Sequence, residues 1–180
     1  MKISKIISSI KLRTLRKRGL IVGDNFTIEN RVRIDNGFPW LIEIGDNVTL
    51  APDVTILSHD ACTKKILGFG AIGKVIIGDN VFIGARSIIL PNVKIGENCI
   101  IGAGSVVTKD IPSNSIACGN PAKVIKNMAD FKNQKIDEYK NGMVIEKSII
   151  KKIAKSKDEQ IKIKDSMNNK KIYLGKINEK

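Results

Sequence analysis

The chain has 180 residues, 42% of them hydrophobic, enough for one domain of about 100 residues or more with extensions. Its formal charge of +13 sits at the ends: residues 1–20 carry seven Lys and Arg and no acid, residues 21–125 nine bases and ten acids, and residues 126–180 fifteen bases and eight acids. A near-neutral centre without basic patches interleaved with aromatics argues against nucleic acid as a partner, and three cysteines with no CxxC pair argue against a disulfide framework and for a reducing compartment.

Residues 1–20 place Ile3, Ile6, Ile7 and Ile10 on one face of an expected basic amphipathic helix. Lysines interrupt the apolar run, so neither a signal-peptide core nor a membrane span forms. Two readings stand: a cap on the open end of the domain that follows, or peripheral contact with an anionic membrane.

From residue 21 the pattern changes. Aliphatic residues recur every six positions at Val22, Ile28 and Ile34, at Ile44, Leu50 and Ile56, and at Ile77, Ile83, Ile89, Ile95, Ile101 and Val107. An amphipathic helix needs three- and four-residue spacing and a flat strand needs alternation, so a step of six describes a chain winding in short equivalent flats. The fold class is therefore all-β, a parallel β-helix over residues 21–126 with three hexapeptides to a coil, each aliphatic side chain stacking on its equivalent about 4.8 Å away. Val81, Ser87, Val93, Cys99, Ser105 and Ile111, four residues later in each step, also point inward, and Gly and Asn suit the corners.

The step breaks twice. Four extra residues fall around Asn36 to Trp40, and between Ile56 and Ile77 the chain leaves the prism after His59 and returns near Val75. Loops on a rigid scaffold are where sites collect. Trp40, the single tryptophan, serves either as a wall for a sugar ring or as packing against a neighbouring subunit. The loop from Ala61 to Lys74 reads as a flap over a site or as a plain surface excursion.

His59, the only histidine, stands where the repeat yields to the loop. Imidazole suits a general base near neutral pH, worth about 10²- to 10⁴-fold in rate. Its second nitrogen needs an acceptor, for which Asp60, Asp53 and a backbone carbonyl are the candidates. A zinc site is not expected, since a three-histidine set is missing and Cys99 falls on an inward position.

The stretches IGDNVTLAPDVTILSHD, VIIGDNVFIGARSIILPNVKIG, IGAGSVVTKDIP and GNPAKVIK resemble the hexapeptide-repeat acetyltransferases, the group that holds maltose, galactoside and serine acetyltransferases and many capsular-polysaccharide O-acetyltransferases. The resemblance runs from about Val22 to Lys126. It implies a left-handed coil, a homotrimer with active sites between prisms, acetyl-CoA as co-substrate with no metal, and His59 as the catalytic base. Carried over position by position, it puts the CoA contacts on Ala85, Ala103, Thr108, Lys109, Lys123 and Lys126. The last two are often arginine in relatives, and lysine supplies charge without a two-pronged geometry. Asn36, Trp40 and Asp60 are the candidate acceptor contacts. The expected activity is cytoplasmic O-acetylation of a saccharide in cell-surface polysaccharide synthesis. The rivals are O- or N-acetylation of serine, an antibiotic or an amino sugar, and a non-catalytic trimeric scaffold.

Gly119, Asn120 and Pro121 end the repeat. The Lys-rich C-terminal extension, residues 127–180, offers Ile145, Ile149 and Ile153 as one helical face and IKIKD and KIYLGKI as short strands, with composition that permits partial disorder.

Overall fold

The computed structural model describes residues 12–146, 149–150, 153–167 and 171–175. By contacts the chain divides after Met128 into two compact units.

The first unit is a three-faced parallel β-helix. Face one stacks β1 (Ile21–Val22), β4 (Ile42–Ile44), β9 (Val75–Ile77) and β12 (Val93–Ile95), and Ile111 bridges onto Ile95. Face two stacks β2 (Thr27–Ile28), β5 (Thr49–Leu50), β10 (Phe82–Ile83), β13 (Ile100–Ile101) and β15 (Ser115–Gly119); β16 (Ala122–Asn127) then turns back antiparallel on β15 and stops the winding. Face three stacks β3 (Arg33–Ile34), β6 (Thr55–Ile56), β11 (Ile88–Ile89) and β14 (Val106–Val107). The register pairs equivalents, Ile34 with Ile56, Ile56 with Ile89, and Ile89 with Val107, so the six-residue step becomes a column of buried aliphatics. Each fully buried Ile or Leu in such a column contributes roughly 1.5–3 kcal/mol. The inward Ser87 and Ser105 are also buried, and both hydroxyls donate to the Gly102 carbonyl, at 2.9 and 2.6 Å.

Two corners are built from left-handed backbone. Between faces one and two, Asn25, Asn47, Asn80, Asn98 and Asn114 hold φ of 53, 55, 56, 54 and 59°. The amides chain along the column, Asn25 Nδ2 donating to Asn47 Oδ1 at 3.0 Å and Asn47 Nδ2 to Asn80 Oδ1 at 3.2 Å. Asparagine is the residue besides glycine that tolerates this conformation most easily; others lose roughly 1–2 kcal/mol. Between faces two and three the equivalent positions hold Arg31, Asp53, Arg86 and Gly104, at φ of 59, 63, 60 and 71°.

Residues 12–17 are helical. Leu15 and Leu20 are buried in the core and Leu12 packs against it, so residues 12–20 close the prism. Ile3, Ile6, Ile7 and Ile10 lie outside the described residues. Gly19, at φ 97°, lets Trp40 approach: a Cβ there would lie 2.7 Å from the Trp40 Cβ. No helix among the described residues is long and apolar enough to cross a membrane.

The helix Met128–Lys140 leads into the second unit and precedes β17 (Met143–Ile145), which pairs parallel with β18 (Ile172–Leu174). Tyr139 stacks edge-on against Tyr173 at 5.9 Å and its hydroxyl donates to the Gly175 carbonyl. Two expectations need correction. IKIKD lies inside the helix Lys157–Met167, not in a strand; two alternating isoleucines are outweighed by a helix start in which the Ser156 hydroxyl accepts from the Glu159 amide and Asp158 and Glu159 fill the first turn. Ile145 belongs to β17, so it shares no helical face with Ile149 and Ile153, because strand pairing with β18 claims its backbone.

Candidate active site

After Ile56 the chain leaves face three. Ser58, fully buried, anchors the departure, and its carbonyl accepts from the Gly73 amide at 2.9 Å where the chain returns. Between them stands a hairpin of β7 (His59–Asp60) and β8 (Ala71–Ile72) with a short helix, Lys64–Leu67, at its tip. The first break, one coil earlier, folds into a 3₁₀ turn, Pro39–Leu41. The two insertions thus leave the prism side by side, on the edge between faces three and one.

Asp35, at the start of the first insertion, meets His59, at the start of the second. Its side chain is 2% exposed, and Oδ2 lies 2.5 Å from His59 Nδ1. The Ser58 amide also donates to Oδ2 at 2.9 Å and the Gly37 amide to Oδ1 at 2.8 Å. The Ser58 hydroxyl, with one proton, lies 2.9 Å from Oδ2 and 3.2 Å from the Phe38 carbonyl. Burial alone would push the Asp35 carboxyl up, but the Ser58 amide, the His59 ring, the Gly37 amide and the Ser58 hydroxyl all bond its charged form and hold it at about 2. An ionised carboxylate only accepts, so Nδ1 carries the ring proton and Nε2 is the basic nitrogen. The His59 side chain is 42% exposed, and no hydrogen bond to Nε2 is found among the described residues.

Neither carboxylate considered from the sequence plays this part. Asp60 accepts from the Cys62 amide at 2.8 Å and from its thiol at 3.3 Å, because the next residue of a strand points to the other side. Asp53 is engaged by Arg31 on a different edge. The signal for Asp35 was the coil length: Ile34 pairs with Ile56, so residues just after each share an edge.

Phe38 sits against the site, 5.7 Å from the His59 ring, with Trp40 edge-on to it at 5.4 Å and half exposed. Asn36 is exposed beside them. Ala85 and Ala103 stand on successive coils of the other edge of face three, where the Ala85 carbonyl accepts from the Gly104 amide at 2.8 Å. Thr108 and Lys109 share the edge of His59 and line an open groove of about 710 Å³ with Lys74, Asn92, Lys94 and Asp110. Lys74 is held by Glu43 at 2.7 Å. Lys123 and Lys126 lie on β16, opposite Cys118 and Ile116. One chain therefore gathers Asp35, Ser58, His59, Phe38 and Trp40, and holds Ala85 and Ala103 across face three from them. Among the described residues no three His, Cys, Asp or Glu gather in metal-binding geometry.

Three stacked faces wound in six-residue steps define a hexapeptide-repeat β-helix protein. Residues 74–109 match the family model described as bacterial transferase hexapeptide (six repeats). Protein CapG of Staphylococcus aureus is 46% identical over 125 residues, 67% of this chain and 73% of that protein. Galactoside O-acetyltransferase of Escherichia coli (strain K12) is 38% identical over 125 residues, 64% of this chain and 61% of that protein. Among solved structures, a galactoside acetyltransferase in complex with coenzyme A superposes with a TM-score of 0.57 at 37% identity, over 64% of this chain and 58% of that one. A maltose O-acetyltransferase from Clostridium difficile 630 does so with 0.52 at 38%, over 63% and 72%. The chain belongs to the hexapeptide-repeat acetyltransferase family, whose coil is left-handed.

Proposed function

We propose that the chain is an acetyl-CoA-dependent O-acetyltransferase acting on a saccharide hydroxyl in cell-surface polysaccharide synthesis. The observation that carries this reading is the His59 ring, its Nδ1 against the buried Asp35 carboxylate and its side chain partly exposed. In the reaction Nε2 removes the proton from the sugar hydroxyl as its oxygen attacks the thioester carbonyl carbon. The tetrahedral intermediate collapses, the carbon–sulfur bond breaks, and the imidazolium returns its proton to the departing thiolate. Asp35 stays ionised throughout, stabilising the imidazolium and fixing its orientation. Phe38 and Trp40 offer aromatic surface for a sugar face beside that nitrogen, with Asn36 as a further acceptor contact.

The donor runs along Ala85 and Ala103, with its phosphate-rich end toward Thr108, Lys109, Lys123 and Lys126. Ala85 and Ala103 lie on a different edge from His59, so a homotrimer completes the site by setting the His59 edge of one prism against the alanine edge of the next. Residues 12–20 act as a cap through Leu15 and Leu20, and the protein works in the cytoplasm, where its donor is made.

The test is thiol release from acetyl-CoA by the full chain with a panel of mono- and oligosaccharides, wild type against His59→Ala. Sugar-dependent release that drops a hundredfold or more in a folded variant is the expected result. Equal release by both proteins would remove His59 from the chemistry. CoA binding with transfer only to serine or an amine would favour the small-acceptor reading, and no CoA binding at all the scaffold.

A further inference from the structure

We propose that the edge between faces two and three carries a binding site for the carboxylate of an acidic sugar, formed by Arg33 and Arg86 beside the Arg31–Asp53 pair. The inference rests on the acetyltransferase reading for its link to the acceptor, while the site itself stands on the residues below.

Arg31, Asp53, Arg86 and Gly104 form one column, a residue to a coil. Their backbones are laddered: the Asp53 amide donates to the Asn30 carbonyl at 3.1 Å, the Arg86 amide to Pro52 at 3.0 Å and the Gly104 amide to Ala85 at 2.8 Å. All four have left-handed backbone. The equivalent column at the neighbouring corner uses asparagine five times, the residue this conformation favours. Here two arginines stand instead, and a long charged side chain in an unfavourable backbone calls for a role beyond turning the chain.

The charges do not balance locally. Arg31 takes both oxygens of Asp53, Nε to Oδ1 at 2.7 Å and Nη2 to Oδ2 at 2.8 Å. Arg33 and Arg86 also act on Asp53, all three guanidiniums lowering its carboxyl pKa. Neither Arg33 nor Arg86 makes an ion pair among the described residues, and Glu29, exposed two residues before Arg31, makes none either. Arg33 is exposed on face three, in register with Thr55. One forked donor at the corner, Arg86, and one on the adjoining strand of face three, Arg33, with Asp53 already engaged by Arg31, suit an incoming oxyanion. Position selects the kind of anion. Arg86 adjoins Ala85, on the line proposed for the donor, and Arg31 and Arg33 lie in the first coil, away from the later-coil lysines that would meet the CoA phosphates. The anion at this end belongs to the acceptor.

The experiment compares acetyl transfer to an oligogalacturonate and to its carboxyl-reduced, neutral counterpart, using the full chain at low salt. Wild type should favour the acid at least tenfold in kcat/KM, with the preference shrinking as salt rises. In Arg33→Gln/Arg86→Gln, with thermal midpoint checked, the acid-to-neutral ratio should fall toward one; Arg33→Lys/Arg86→Lys should recover part of it. Binding of labelled oligogalacturonate without acetyl-CoA is measured in parallel and needs no turnover. Binding lost in the Gln variant supports the site even if no sugar is acetylated, in which case the transferase reading alone falls. Where sugars are acetylated, an acid preference absent from wild type or unchanged in the Gln variant overturns the proposal, as do oligogalacturonate binding that the Gln variant keeps or that wild type lacks, and weaker CoA affinity in that variant, which would assign the arginines to the donor.

Discussion

Replacing Asp35 by Asn keeps the shape and removes the charge on which the site depends. One orientation of the amide offers oxygen to Ser58 and His59 and turns its NH₂ against the Gly37 amide; the other faces NH₂ toward three donors. The carboxyl is held at about 2 against an ordinary 3.8, so the folded state stabilises its charge by about 2 kcal/mol. Asp35→Asn should lose about that much in urea unfolding at fixed protein concentration and neutral pH. The sign across pH follows from the lowered folded value. Below 3.8 the unfolded chain takes up the proton first, so Asp35's contribution is complete above about 4 and disappears as pH falls through 2. The variant should lack that component. The neutral amide also gives up the preference for a proton on Nδ1 and the stabilisation of the imidazolium, so kcat for thiol release should fall about 10²- to 10³-fold. A variant with kcat within about threefold of wild type would refute the argument that Asp35 positions the base.

Ile83, buried with no exposed surface between Leu50 and Ile101, should cost roughly 2–5 kcal/mol as Ala, read from the urea midpoint; less than about 1 kcal/mol would mean the column relaxes. At Gly73 an added Cβ would lie 2.5 Å from the Asn92 backbone nitrogen, which cannot swing away, so Gly73→Ala should lose about 1–3 kcal/mol. Because the Gly73 amide bonds the Ser58 carbonyl, kcat should fall with it; unchanged turnover would show that the loop base does not position His59.

Local pattern was enough to specify the winding. A step of six names its own inward positions, because stacking turns a local period into a column without any long-range choice; hence Ile77 to Val107 and the small residues four later were readable one by one. The place of His59 was readable for a related reason, as the one histidine of the chain and at a break in the period. What holds it came from the stacking of coils. Asp35 is 24 positions away, behind an insertion of its own, and faces His59 because coils of that length bring two departures to one edge. Asp60, adjacent in sequence, lost its place because neighbouring strand residues point apart. The arginine column was hidden in the same way: Arg31 and Arg86 are 55 positions apart, and only the stacked coils make them neighbours of one carboxylate. Beyond Met128 no repeat links local pattern to position, so IKIKD followed its helix cap, and the strand pairing that defines β17 and β18 was settled by contacts across the unit.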